Sequence, residues 1–143
     1  MRNSHEEAEP RWLILQNRST EQPGIVSVIS SLPSEEAKSR FPLSMKVLWG
    51  YESLSNGMPT EKEIIYARHI EDELAKIIKG HGVHVMNKTG GGGRTFYYYV
   101  SSIEELNEAI ARFFDGEPPI SIKIVVERDE KWVTVRDVLD AIQ

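Results

Sequence analysis

Few side chains in this sequence have the types and spacing that chemistry requires. Glu71 is the sharpest of them. On a helix opening at Thr60, at about 100° per residue, Ile64, Ala67, Ile70, Leu74, Ile77 and Ile78 form one apolar stripe. Glu71 falls inside that stripe, between Ile64 and Ile78. A carboxylate buried alone is costly, so it must be paired or hydrogen-bonded. Two readings stand: a rim residue reaching out to solvent, or a buried anchor or pocket acid. Arg94 is the second such residue. It follows glycines 90–93 and opens an aromatic run, Phe96-Tyr97-Tyr98-Tyr99. A phosphate loop would need Lys-Ser/Thr and then a helix after its last glycine, whereas Arg94-Thr95 and a strand follow here. The run reads as a flexible hairpin loop, with four glycines free of packing.

The remaining polar groups do not assemble into a catalytic set. His81 and His84 are three apart in a turn and strand, which sends them to different faces. His69 and Glu73 share a helix face, but two ligands do not close a zinc site. No serine sits in a Gly-x-Ser-x-Gly elbow, and there is no cysteine. The sequence therefore assigns no catalytic residue, no metal ligand and no cofactor, and leans away from an enzyme. Absence of cysteine fits a reducing compartment. Net charge is −5 over 143 residues, which counts against sequence-independent nucleic-acid binding. No apolar run approaches a membrane span, and no signal-peptide core precedes Pro10, so a cytoplasmic protein is expected.

The elements that position these residues read clearly. Residues 1–10 are a polar, acidic tail expected to be disordered, and 11–143 are expected to form one domain. Trp12-Leu13-Ile14-Leu15 and Ile25-Val26-Ser27-Val28-Ile29 predict a hairpin around Thr20–Gly24 turn material. Strands follow at 43–49, 83–88, 95–100 and 120–126. Capping boxes at Thr60/Glu63 and Ser102/Glu105 start two core-facing helices, Pro118 and Pro119 follow the second, and Thr134 is expected to cap a short third. From residue 43 to about 127 the order strand, helix, strand, strand, helix, strand predicts an α+β, ferredoxin-like split βαβ sandwich. The hairpin either extends one sheet edge or covers the second face.

Gly57-Met58-Pro59, Ile70-Glu71-Asp72-x-Leu74, Gly93-Arg94-x-Phe96-Tyr97-x-Tyr99 and Asp129-x-x-Trp132 occur in this order. Together they resemble the bacterial family called domain of unknown function 695, over roughly residues 11–139. Val133-Thr134-Val135-Arg136 replaces that family's aromatic-rich end. The resemblance implies a ferredoxin-like sandwich in a bacterial cytoplasm, and no known reaction. Some relatives are joined to a domain similar to a ribonuclease E inhibitor.

The functional expectation is a binding or regulatory module using an open sheet face or edge to hold a protein partner or a second copy. Strand alternation places Phe96, Tyr98 and Val100 under the helices. Tyr97 and Tyr99 then join Lys46, Leu48, His84 and Met86 in a mixed contact patch. A small-ligand binder or enzyme is the alternative, with Glu71, Arg94, His84 and the tyrosines around a pocket. RNA binding, a third reading, needs Lys46, Lys88, Arg94 and Lys123 on one face.

Overall fold

Alternating apolar residues and two positive-φ glycines build one open antiparallel sheet. The computed structural model describes residues 11–17, 21–116 and 120–142; the expected tail at 1–10, Thr20 and the Pro118-Pro119 stop lie outside them. In chain order the elements are β1 (Trp12–Asn17), β2 (Gly24–Ile29), α1 (Glu35–Arg40), β3 (Leu43–Gly50), α2 (Glu61–Ile78), β4 (Gly82–Gly90), β5 (Gly93–Val100), α3 (Glu104–Phe114), β6 (Ile122–Arg128) and α4 (Val133–Ile142). The six strands lie in the order β1-β2-β4-β5-β3-β6, and every neighbouring pair is antiparallel. The N-terminal hairpin thus extends the sheet at the β4 edge.

One face carries α2 and α3. Ala67, Ile70, Leu74 and Ile78 of α2 and Leu106, Ile110 and Phe114 of α3 pack on Met45, Val47, Trp49, Phe96, Tyr98 and Val100. Among the described residues the opposite face is covered at one end only. There Trp132, Val135 and Leu139 close over Val28, Val85, Met86 and Tyr99. Because β1 and β2 extend the sheet past α2, their α2-side residues form a ledge. Ile14 on that ledge is 67% exposed, and Ile64, expected in the core stripe, is 45% exposed at the near flank of α2.

Local chemistry sets the element ends. Thr60 Oγ1 accepts from the Glu63 N–H at 3.4 Å and starts α2. At α3 the expected box gives way to a simpler turn, in which Ser102 Oγ accepts from Glu104 N–H at 3.3 Å. Thr134 does not cap α4. Asp129 does, accepting from the Val133 and Thr134 N–H groups at 2.8 and 3.2 Å, with Trp132 turned to φ 56° on the way in. Between β4 and β5 the loop is a tight two-residue turn. Gly91 and Gly92 take φ 62° and 85°, the left-handed pair that a twisted hairpin needs. The tip is bonded to the 51–59 segment: Gly92 N–H donates to the Gly57 carbonyl at 2.8 Å, and Tyr51 N–H to the Gly92 carbonyl at 3.1 Å. Among the described residues no helix is long and apolar enough to cross a membrane.

Candidate functional site

The register aligns one row of side chains under the near flank of α2. Ile14 pairs with Ser27, Ser27 with Asn87, and Asn87 with Phe96. The next row holds Ile25, Thr89, Arg94 and Trp49. Glu71 comes down onto this surface from α2, its side chain 32% exposed. The pocket-acid expectation and the rim expectation therefore meet: the carboxylate is largely withdrawn and also faces a cleft.

His84 belongs to this site, contrary to the strict alternation that placed it on the open face with Met86. A bulge between His84 and Met86 inserts Val85 against the β5 register. The extra residue re-aims the strand locally. His84 pairs with Tyr98 and stacks on its ring at 4.7 Å; the Trp12 ring lies 5.1 Å away on β1.

A short relay joins these groups. Asn87, only 5% exposed, donates through Nδ2 to Glu71 Oε1 at 2.8 Å. Its Oδ1 lies 2.7 Å from His84 Nε2. A carboxylate can only accept, so the amide orientation is set, and Nε2 of His84 must be the protonated nitrogen. Nδ1 then faces Glu71 Oε1 at 3.7 Å. Burial pushes the His84 pKa below its usual 6.5, against opposing contributions from Asn87 and Glu71. Arg94 completes the set. Its guanidinium lies over the Phe96 ring at 5.1 Å, Nη1 donates to Thr89 Oγ1 at 3.4 Å, and Nη2 is 3.6 Å from Glu71 Oε1. Among the described residues no protein group bonds Arg94 Nε or the Tyr98 hydroxyl, both buried. Burial raises the Tyr98 pKa far above 10.

Two cavities meet at this cluster. A polar cleft of about 370 Å³ is lined by Trp12, Ile14, Ser27, Glu71, His84, Asn87 and Arg94. An apolar pocket of about 180 Å³ lies alongside, bordered by Ile25, Trp49, Tyr51, Pro59, Ile64 and Ala67. Ser27 and Arg94 line both. A wider depression of about 1110 Å³ wraps the sheet end at the glycine hairpin.

The expected tyrosine patch on the other face is divided. Tyr99 is 1% exposed, stacked on Trp132 at 4.2 Å and 4°, and its hydroxyl donates to Asp129 Oδ2 at 2.7 Å. It is a core residue, because α4 docks there. Tyr97 stays half-buried on the uncovered part, with Lys46 and Lys88 at 5.8 and 5.5 Å from its ring. Lys123 lies one row away, paired with Leu48. The lysines therefore share a face that Arg94 does not. Asn87, Ser27, Trp12 and Ile14 were not singled out by sequence reasoning. The signal for Asn87 was its lone polar side chain at a core-facing strand position.

A family model described as a family of unknown function matches residues 11–139. The chain belongs to that family, DUF695. None of the curated proteins and none of the solved structures matches the chain. The relay residue Glu71, together with Arg94 and Trp49, lies inside the matched residues.

Proposed function

We propose that this DUF695 member is a non-enzymatic binding module that holds a small ligand in the cleft between α2 and the hairpin-extended sheet. The observation that carries the reading is the convergence of Glu71, His84, Asn87 and Arg94 on a cleft that shares Arg94 and Ser27 with an apolar pocket. Apolar walls with a few placed polar groups are the usual make-up of a ligand site. Holding suits the cluster better than reaction. The polar groups already bond one another, Asn87 to both His84 and Glu71, which supports holding a ligand. We take residues 43–127 as a ferredoxin-like split βαβ unit, in line with the strand order β4-β5-β3-β6, and residues 11–143 as one domain. We place the protein in the cytoplasm, a reading that the cysteine-free composition supports.

Amide-resolved NMR during a fragment screen tests the reading. Binders are expected to shift Trp12, Ser27, His84, Asn87 and Arg94 together. Shifts confined to Tyr97, Lys46 and Lys88 would instead favour a second reading, in which a protein partner or second copy bearing carboxylates docks on the open face. That reading is favoured by one observation: Lys46 and Lys88 both lie over the Tyr97 ring and form no ion pair among the described residues.

A further inference from the structure

The charges in the cleft restrict its ligand. Among the described residues Glu71 is met at Oε1, by Asn87 Nδ2 at 2.8 Å, Arg94 Nη2 at 3.6 Å and His84 Nδ1 at 3.7 Å. Among the described residues no group bonds Oε2, although the side chain is one-third exposed to the cleft. Arg94 meets Glu71 as an ion pair longer than a hydrogen bond, so its guanidinium still has donor capacity. A ligand carrying only an anion would meet the Glu71 carboxylate as well as Arg94. A ligand carrying only a cation would meet Arg94 as well as Glu71. Beyond their own 3.6 Å pairing, both charges are met at once by a ligand that carries an anionic and a cationic group on one carbon. Neutral His84, bonded to Asn87, adds no further charge.

The third requirement comes from the far side of Arg94. The pocket of about 180 Å³ there is walled by Ile25, Trp49, Tyr51, Ile64 and Ala67, and Ile64 at its mouth is 45% exposed. An exposed isoleucine at an apolar pocket is a surface on which a second apolar group gains by burial. The ligand thus needs adjacent opposite charges and one apolar branch that passes Ser27 and Arg94 into this pocket.

We infer that the cleft binds a free α-amino acid with an apolar side chain, its carboxylate on Arg94, its ammonium on Glu71 Oε2 and its side chain in the Ile64–Trp49 pocket. This rests on the reading of the cleft as the binding site. Trp12, 39% exposed, lines the same cleft and offers an aromatic face to a cation held there.

The test is calorimetric titration of the full chain with L-leucine, L-phenylalanine, leucinamide and N-acetyl-L-leucine. Leucine or phenylalanine is expected to bind, and the two single-charge analogues to bind about tenfold more weakly or worse, each having lost one charge-assisted contact. Arg94→Met should weaken leucine and erase its advantage over leucinamide. Ile64→Glu, at an exposed position that leaves the fold intact, should weaken leucine and phenylalanine without changing the circular dichroism spectrum. Equal binding of leucine and its single-charge analogues would overturn the inference. So would absence of amino-acid binding while screened fragments still shift cleft amides, a result that leaves the cleft reading standing. Silence of the cleft amides toward every fragment would remove both.

Discussion

Asn87 ties the cleft together, and its replacement has a calculable consequence. Asn87→Leu keeps most of the side-chain volume and removes both ends of the relay. One lost bond is the 2.7 Å contact with the His84 ring, of a kind worth about 0.5–1.5 kcal/mol; the other, at 2.8 Å to the Glu71 carboxylate, is of a kind worth about 1.5–3 kcal/mol. Water reaches Glu71 and His84, whose side chains are 32% and 21% exposed, and replaces part of what is lost. The expected destabilisation is therefore about 2–3 kcal/mol, a fall in Tm of about 6–12 °C for a chain of this size. Urea unfolding followed by tryptophan fluorescence measures it. A cycle with Glu71→Gln should return a coupling of about 1–2 kcal/mol, in the range for residues in direct contact. NMR titration supplies a second readout: without its Asn87 partner the His84 imidazolium loses a stabilising contact, and its pKa falls further below 6.5. Stability within about 0.5 kcal/mol of wild type would refute the relay, since that is the range of surface changes that touch nothing.

Other outcomes follow from the same geometry. Because burial holds the folded-state pKa of His84 below 6.5, the unfolded chain binds a proton first as pH falls. Stability should be level above pH ~6.5 and decline below it until the folded His84 also titrates, with a slope of at most about 1.4 kcal/mol per pH unit. Unfolding of wild type and His84→Gln across pH 5–7 isolates this slope, which the variant should lack. Gly82→Ala would place a Cβ 2.5 Å from the Tyr99 carbonyl oxygen and 2.6 Å from Val100 Cγ1; backbone cannot yield there, and thermal denaturation should register a loss of about 1–3 kcal/mol. Asp129→Ala removes the α4 cap and the acceptor for Tyr99, and should cost about 2–4 kcal/mol. Burial alone would raise the Asp129 pKa, but bonds from Tyr99, Val133 and Thr134 hold it below 3.8. That contribution is therefore present above pH ~4 and lost in acid, so the variant's deficit should shrink as pH falls through that range.

The sheet and its helices were legible because their periods are local. The stripe of α2 and the alternation of β3 and β5 need only a few turns or residues to declare themselves. The withdrawn position of Glu71 was legible on the same ground. What was not legible depended on a single inserted residue or on distant contacts. Val85 shifts the β4 register by one, which moves His84 from the open face to the cleft, and nothing in its neighbours marks the bulge. Tyr99 lies under α4 through Trp132 and Asp129, some thirty residues on. The motif Asp129-x-x-Trp132 was visible, but its partner across the sheet was not. Ile64 fitted the core stripe by angle and is exposed because the hairpin, whose placement sequence left open, leaves a ledge beside it. The glycine run was legible as a hairpin; the bonds that Gly57 and Tyr51 make to its tip from a segment far back in the chain were not.

The most direct measurement is a crystal structure grown with the tightest-binding ligand from the screen. The expected result is ligand density between α2 and β2, with polar atoms within hydrogen-bond distance of Arg94 and Glu71 and an apolar group against Ile64 and Trp49. Density on the open face beside Tyr97 and Lys46, with the Glu71–Arg94 cleft unchanged, would contradict the assignment of the cleft as the binding site.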